Sequence, residues 1–160
     1  MRYSFVFKTT HFRHLPCIGA VFGGKAIELA GRVVNPTLQK SGIGTTMLKE
    51  YVAQSDASIL TTYTRNPSVL GMVRKVTSDL YPLDEDAVLK TLANDMAYAT
   101  LDETSGVLYH LDRYDEGGLF DDDPAERPCE TGEPLKQRFS GLMSVRNALV
   151  VAARIRRSES

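Results

Sequence analysis

Between Gly31 and Leu48 the chain reads GRVVNPTLQKSGIGTTML. A β-favouring run closes at Pro36, a short loop carries Gln39, Lys40, Ser41, Gly42, Ile43 and Gly44, and apolar residues at helical spacing begin at once. That pattern is suited to binding an anion. The first N–H groups of a helix have no internal acceptor and the helix dipole adds partial positive charge, so a phosphate or pyrophosphate is favoured there. Glycine lets the backbone approach a ligand without an intervening Cβ. The hydroxyls of Ser41, Thr45 and Thr46 offer further donors.

Other chemistry-bearing patterns fail on their surroundings. Gly19 to Lys25 (GAVFGGK) matches most of a P-loop, but Ala26 stands where the magnesium-binding Ser or Thr belongs, and a strand pattern comes next instead of a helix. His11, His14 and Cys17 are spaced three apart in strand-like surroundings, which points them to alternate faces, and no fourth ligand is near. No metal is expected. His110 and the acidic run Asp121 to Asp123 read as a cross-strand neighbour and a solvated loop, and Arg154, Arg156 and Arg157 read as a solubilising tail.

The loop Gln39-Lys40-Ser41-Gly42-Ile43-Gly44 resembles the Q/R-x-x-G-x-G/A signature of the GCN5-related N-acetyltransferase (GNAT) superfamily, which binds the pyrophosphate of acetyl-CoA. The resemblance extends from about Ala26 to Leu80, where SILTTYTRNPSVLGMV looks like the family's next strand and helix. It implies a mixed, mostly antiparallel sheet flanked by helices, an α/β (α+β) fold with an abbreviated N-terminal part. It also implies transfer of an acetyl group from acetyl-CoA, as cosubstrate, to a primary amine by direct attack. Backbone groups of Arg32, Val33 and Val34 would then receive the pantetheine arm, and one of those N–H groups would polarise the thioester carbonyl. The amides of Lys40 to Thr45 would hold the pyrophosphate, with Asn66 on the cofactor side or serving as a plain helix cap.

Deprotonating the amine calls for a base. Glu28 is the candidate, eleven residues before Gln39, a spacing similar to the catalytic glutamate of some histone-acetylating members. It is also an unusual residue in so apolar a run as AIELAGRVV, although a solvated or salt-bridged strand position accounts for it as well. Two departures stand out. Many members carry a tyrosine that protonates the departing thiolate where this chain has Val73, which leaves Tyr81 or water for that role. Only 38 residues precede Gln39, about half the usual number, so part of the acceptor wall is absent or supplied by a partner subunit in a homodimer. The alternatives are a non-catalytic or degenerate CoA-binding relative, and a structural domain whose glycines merely permit a tight turn.

The elements that must position these residues emerge from periodicity. Tyr3 to Lys8 alternates as a strand, and Cys17–Phe22 and Ala26–Val34 form two β-runs around Gly23-Gly24-Lys25, a hairpin signal. Ile43 to Gln54 is an amphipathic helix, and Ser58 to Tyr63 is a strand. Asn66-Pro67 starts a helix that runs to Tyr81-Pro82, and Asp84 to Ala97 makes another. Gly106 to Tyr114 and Asn147 to Ile155 are strands, the latter apolar enough to be central. Asp121 to Pro134 holds six acids and three prolines and is expected to be a mobile loop.

The whole chain of 160 residues is sized for one domain, 1–160. A net charge of -1 argues against a nucleic-acid partner, because non-specific binding needs a positive field. No apolar run reaches the roughly 18 residues of a membrane span, so no membrane association is expected. Two distant cysteines suit a reducing, cytoplasmic setting.

Overall fold

The computed structural model describes residues 4–11, 25–33, 41–109 and 123–157. Strand β1 (Ser4–His11) is followed by β2 (Lys25–Val33), helix α1 (Ile43–Gln54), β3 (Ile59–Thr64), α2 (Pro67–Arg74) and β4 (Thr77–Tyr81). Then come α3 (Ala87–Met96), the short strands β5 (Leu101–Asp102) and β6 (Val107–Leu108), a 3-10 turn at Pro124–Glu126, α4 (Leu135–Arg138), a second 3-10 turn at Ser140–Met143, and β7 (Ala148–Ile155). Among the described residues these strands form one mixed sheet in the order β1-β2-β3-β7-β6-β5, with β4 also paired to β7. Only β2 and β3 run parallel; every other described pair is antiparallel.

β7 is the axis of the sheet. Its sequence ALVVAARI is buried along almost its whole length, as a strand covered on both faces requires. It pairs with β3 along one edge, while β4 and β6 share the other. The two faces are packed separately. α1, α2 and the 124–143 segment cover Ile27, Leu29, Leu60, Leu149 and Val151, whereas α3 covers Ala26, Ile59, Tyr81, Val150 and Ala152.

Two expected boundaries move. The helix begun at Asn66-Pro67 stops at Arg74 rather than at Tyr81, and Thr77–Tyr81 becomes strand β4. The outer edge of β7 needs hydrogen-bond partners, and Thr77, Leu80 and Tyr81 supply them; that ladder outweighs continued helical periodicity. The next helix starts at Ala87 because Asp86 is its cap, Oδ1 accepting from the amides of Val88 and Leu89. Asp84 is used elsewhere, accepting from the Leu80 amide at 2.8 Å and pairing with Arg74.

The acidic stretch also differs from the expected mobile loop. From Asp123 onward it forms the 3-10 turn and a bridge between Pro128 and Pro134. Asp123 anchors it against Arg65, an ion pair invisible from local composition. The C-terminal arginines are structural staples rather than a solvated tail. Arg154 pairs with Asp86, Arg156 donates to the Thr77 carbonyl, and Arg157 donates to the carbonyls of Ser55 and Ala57. The expected strand Cys17–Phe22, the turn glycines Gly23 and Gly24, His14 and the segment 110–122 lie outside the described residues. Among the described residues no helix is long and apolar enough to cross a membrane.

Candidate functional site

β2, α1 and β3 form a crossover unit, the one connection in the described sheet that joins parallel neighbours. Ligands of such units collect beyond the carboxyl ends of the strands, where the connecting helix begins. α1 begins at Gly42, whose φ of 81° lies in the left-handed region. A Cβ there would meet nothing within 4 Å, so glycine is required by the backbone angle, not by space. The Gly42 carbonyl accepts the Thr46 amide at 3.0 Å, the first bond of the helix, which leaves the amides of Ile43, Gly44 and Thr45 without intrahelical acceptors. No acidic residue stands in the first turn to offset the positive end of the dipole. Ser41 and Gly42 are exposed, and Ile43 and Thr45 are half-buried above a buried Gly44.

The pairing of the two parallel strands ends before the strands do. Their ladder runs from Ala26/Ile59 through Ile27/Leu60 to Glu28/Thr61, yet β2 continues five residues further and β3 three. Around the end of the pairing the Thr62 hydroxyl donates to the Leu29 carbonyl at 2.8 Å, and Thr61 Oγ1 donates to the Ile27 carbonyl at 3.4 Å. Beyond the last register the Thr62 side chain thus takes an acceptor that a continuing ladder would have used. On its other edge β2 carries a bulge. Val6 pairs with Gly31 and Phe7 with Leu29, which leaves Ala30 as the extra, exposed residue.

Glu28 sits at the last paired register, between Lys8 on β1 and Thr61 on β3, and is half-buried. Strand alternation puts it on the face of Ala26, the α3 side of the sheet. Arg32 and Val33 lie in the outer part of β2, opposite Phe5 and Ser4. Val34, Gln39 and Lys40 lie outside the described residues. Asn66 caps α2: its Oδ1 accepts the Ser68 amide at 2.9 Å, and its own amide donates to Thr64 Oγ1.

Tyr81 is buried near the end of β4, not at a helix end. It pairs with Ala152, Ala152 with Thr61, and Thr61 with Glu28, so Tyr81 and Glu28 share a transverse row three strand spacings apart, about 14 Å. The Tyr81 hydroxyl donates to the Glu103 carbonyl at 2.9 Å. Burial first, then the charges of Asp102 and Glu103, push its pKa up to about 12. Val73 is fully buried in the core.

Three features were not foreseen from the sequence: the bulge at Ala30, the Thr62 hydroxyl bond and the buried Arg65. Arg65 follows β3 directly and is 5% exposed. Its guanidinium reaches Asp123 at 2.5 Å and 3.2 Å and also donates to the carbonyls of Leu142, Ser144 and Asn147. Asp123 lies 58 residues away along the chain, so no local pattern announces the pair. Burial raises the Asp123 pKa, but the Arg65 hydrogen bond, the Ala125 amide and the charges of Arg65 and Lys136 outweigh it and hold the carboxyl below its usual range. Among the described residues no group of three or more His, Cys, Asp or Glu side chains could hold a metal ion.

No family model matches this chain, and neither a curated protein nor a solved structure does.

Proposed function

We propose that this protein is an acetyl-CoA-dependent N-acetyltransferase of the GNAT kind, acting on a primary amine in a cytoplasmic setting. The observation that carries the proposal is the end of the β2/β3 ladder at Glu28/Thr61 while both strands run on, together with a start of the connecting helix α1 that has no acidic residue in its first turn. An extended arm fits against strand ends that no longer pair with each other as an added strand, through main-chain hydrogen bonds, and a diphosphate fits the amides that open α1. The resemblance of QKSGIG to the pyrophosphate signature and the mixed, mostly antiparallel sheet support the same assignment.

In this scheme the amides from Lys40 to Thr45 bind the pyrophosphate, and Arg32, Val33 and Val34 run beside the pantetheine arm. A β2 backbone N–H beyond the last register paired with β3 would stabilise the developing oxyanion. The amine nitrogen attacks the carbonyl carbon, its proton passes to Glu28 directly or through water, and the carbon–sulfur bond breaks. The departing thiolate takes a proton from water, because Val73 has none to give and the Tyr81 hydroxyl is engaged with Glu103.

That last point also favours a second reading, a degenerate protein that binds CoA without turnover. Calorimetric titration with acetyl-CoA tests the binding site; absence of heat overturns both readings. A thiol-release assay over a panel of primary amines then separates enzyme from binder.

A further inference from the structure

We propose that Arg157 is a positioning residue for acetyl-CoA: from the end of β7 it fixes the C-terminal end of α1, and so the direction in which the amides opening that helix point. This rests on the acetyl-CoA reading above and adds a residue that touches neither the cofactor nor the reacting atoms. α1 is 12 residues long, about 18 Å from end to end. It closes at its cap Ser55, and the chain passes through Asp56, Ala57 and Ser58 into β3. No basic residue stands in the last turn of α1 to meet the negative end of its dipole.

Arg157 brings that cation from 102 positions further along the chain. Its Nη2 donates to the Ser55 carbonyl at 3.1 Å and also to the carbonyl of Ala57, a residue only 1% exposed. The base of this tie is itself anchored. The Ile155 amide donates to the Ser58 carbonyl at 2.8 Å, while the Arg156 amide and guanidinium donate to the carbonyls of Val76 and Thr77, each at 2.9 Å. α1 otherwise buries Leu48 and Val52 in the core, and such apolar contacts are non-directional and permit small tilts. A tilt of about 5° over the length of the helix moves one end by about 1.5 Å relative to the other. Hydrogen bonds from the opening amides to a diphosphate do not survive a displacement of that size. Two directional bonds at the far end of the helix therefore bear on the anion site.

The test is calorimetric titration of acetyl-CoA into the full chain and three variants, at a temperature where circular dichroism shows all four folded. Arg157→Ala should raise the Kd about fivefold, and Arg157→Lys, which keeps the charge and its donors, should recover most of that loss. Arg154→Ala removes the tie to Asp86 on the opposite, α3 face and should leave the Kd unchanged. In thiol release Arg157→Ala should act on the acetyl-CoA KM far more than on kcat. Coupling is reciprocal, so saturating acetyl-CoA should slow tryptic cleavage after Arg157 by a similar factor. The positioning role is overturned if Arg157→Ala binds as the wild type does, if Arg154→Ala loses as much affinity, or if cleavage is indifferent to acetyl-CoA. Those results leave the acetyl-CoA reading standing; absence of binding by the wild type removes both.

Discussion

The Thr62 hydroxyl donates to the Leu29 carbonyl at 2.8 Å, one step beyond the last paired register of the two parallel strands. Thr62 is 2% exposed, so this bond is shielded from water. The side chain occupies an acceptor that the next backbone amide would otherwise take, and the β2/β3 ladder stops there. Thr62→Val keeps the shape and removes the donor. It should weaken acetyl-CoA binding at least several-fold by calorimetry, at a stability cost of about 1–2 kcal/mol for the lost buried bond. Thr62→Ser should recover binding; if Thr62→Val binds as the wild type does, the hydroxyl does not set the binding site.

Gly42 needs its left-handed φ but not its lack of bulk, which makes a charge-specific test available. Asn and Asp both tolerate that region better than most residues. Each should cost about 1 kcal/mol of stability. Gly42→Asp should abolish acetyl-CoA binding by placing a carboxylate at the anion site, whereas Gly42→Asn should retain most of it. Equal affinities for the two variants would show that no anion binds there.

Glu28→Gln should preserve acetyl-CoA affinity and lose most of the thiol-release rate near pH 7, recovering part of it as pH rises and more of the amine is deprotonated in solution. The readout is a pH–rate profile of both proteins. Identical profiles would remove Glu28 as the base.

Tyr81→Phe deletes a hydroxyl that is bonded to the Glu103 carbonyl and lies three strand spacings from Glu28. It should leave the thiol-release rate within about twofold and cost about 1 kcal/mol in chemical denaturation. With its pKa pushed up to about 12, Tyr81 adds no alkaline limb to the rate profile below that value. A large loss of rate would instead make Tyr81 the acid.

Asp123→Asn leaves the buried Arg65 guanidinium without its counter-charge and should destabilise the fold by about 3 kcal/mol. The pH dependence has a definite sign. The carboxyl titrates below its ordinary value of 3.8 when folded, so its contribution is fully present above about pH 4 and is lost as pH falls through the folded value. Thermal melts of wild type and Asp123→Asn should therefore converge below pH 4; a gap that stays constant would contradict the assignment.

Much of the candidate site is legible in the chain because its causes are local. Gly42 before an amphipathic run fixes where α1 starts, Asn66-Pro67 carries its own capping chemistry, and the apolar run from Ala148 announces a strand buried on both sides. Glu28 stands out from its apolar neighbours without any knowledge of the fold. Each signal acts within a helical turn or a strand's alternation, the range over which sequence pattern reports geometry.

Tertiary structure alone decided the rest, since the deciding partners are far apart in the chain. Thr77–Tyr81 is a strand because β7, some 70 residues later, needed an edge partner. The end of the β2/β3 ladder depends on a bond between residues 33 positions apart, and the ordering of the acidic stretch on an ion pair spanning 58. The residue types offered the donors and acceptors; burial, which makes an unpaired one expensive, chose among them.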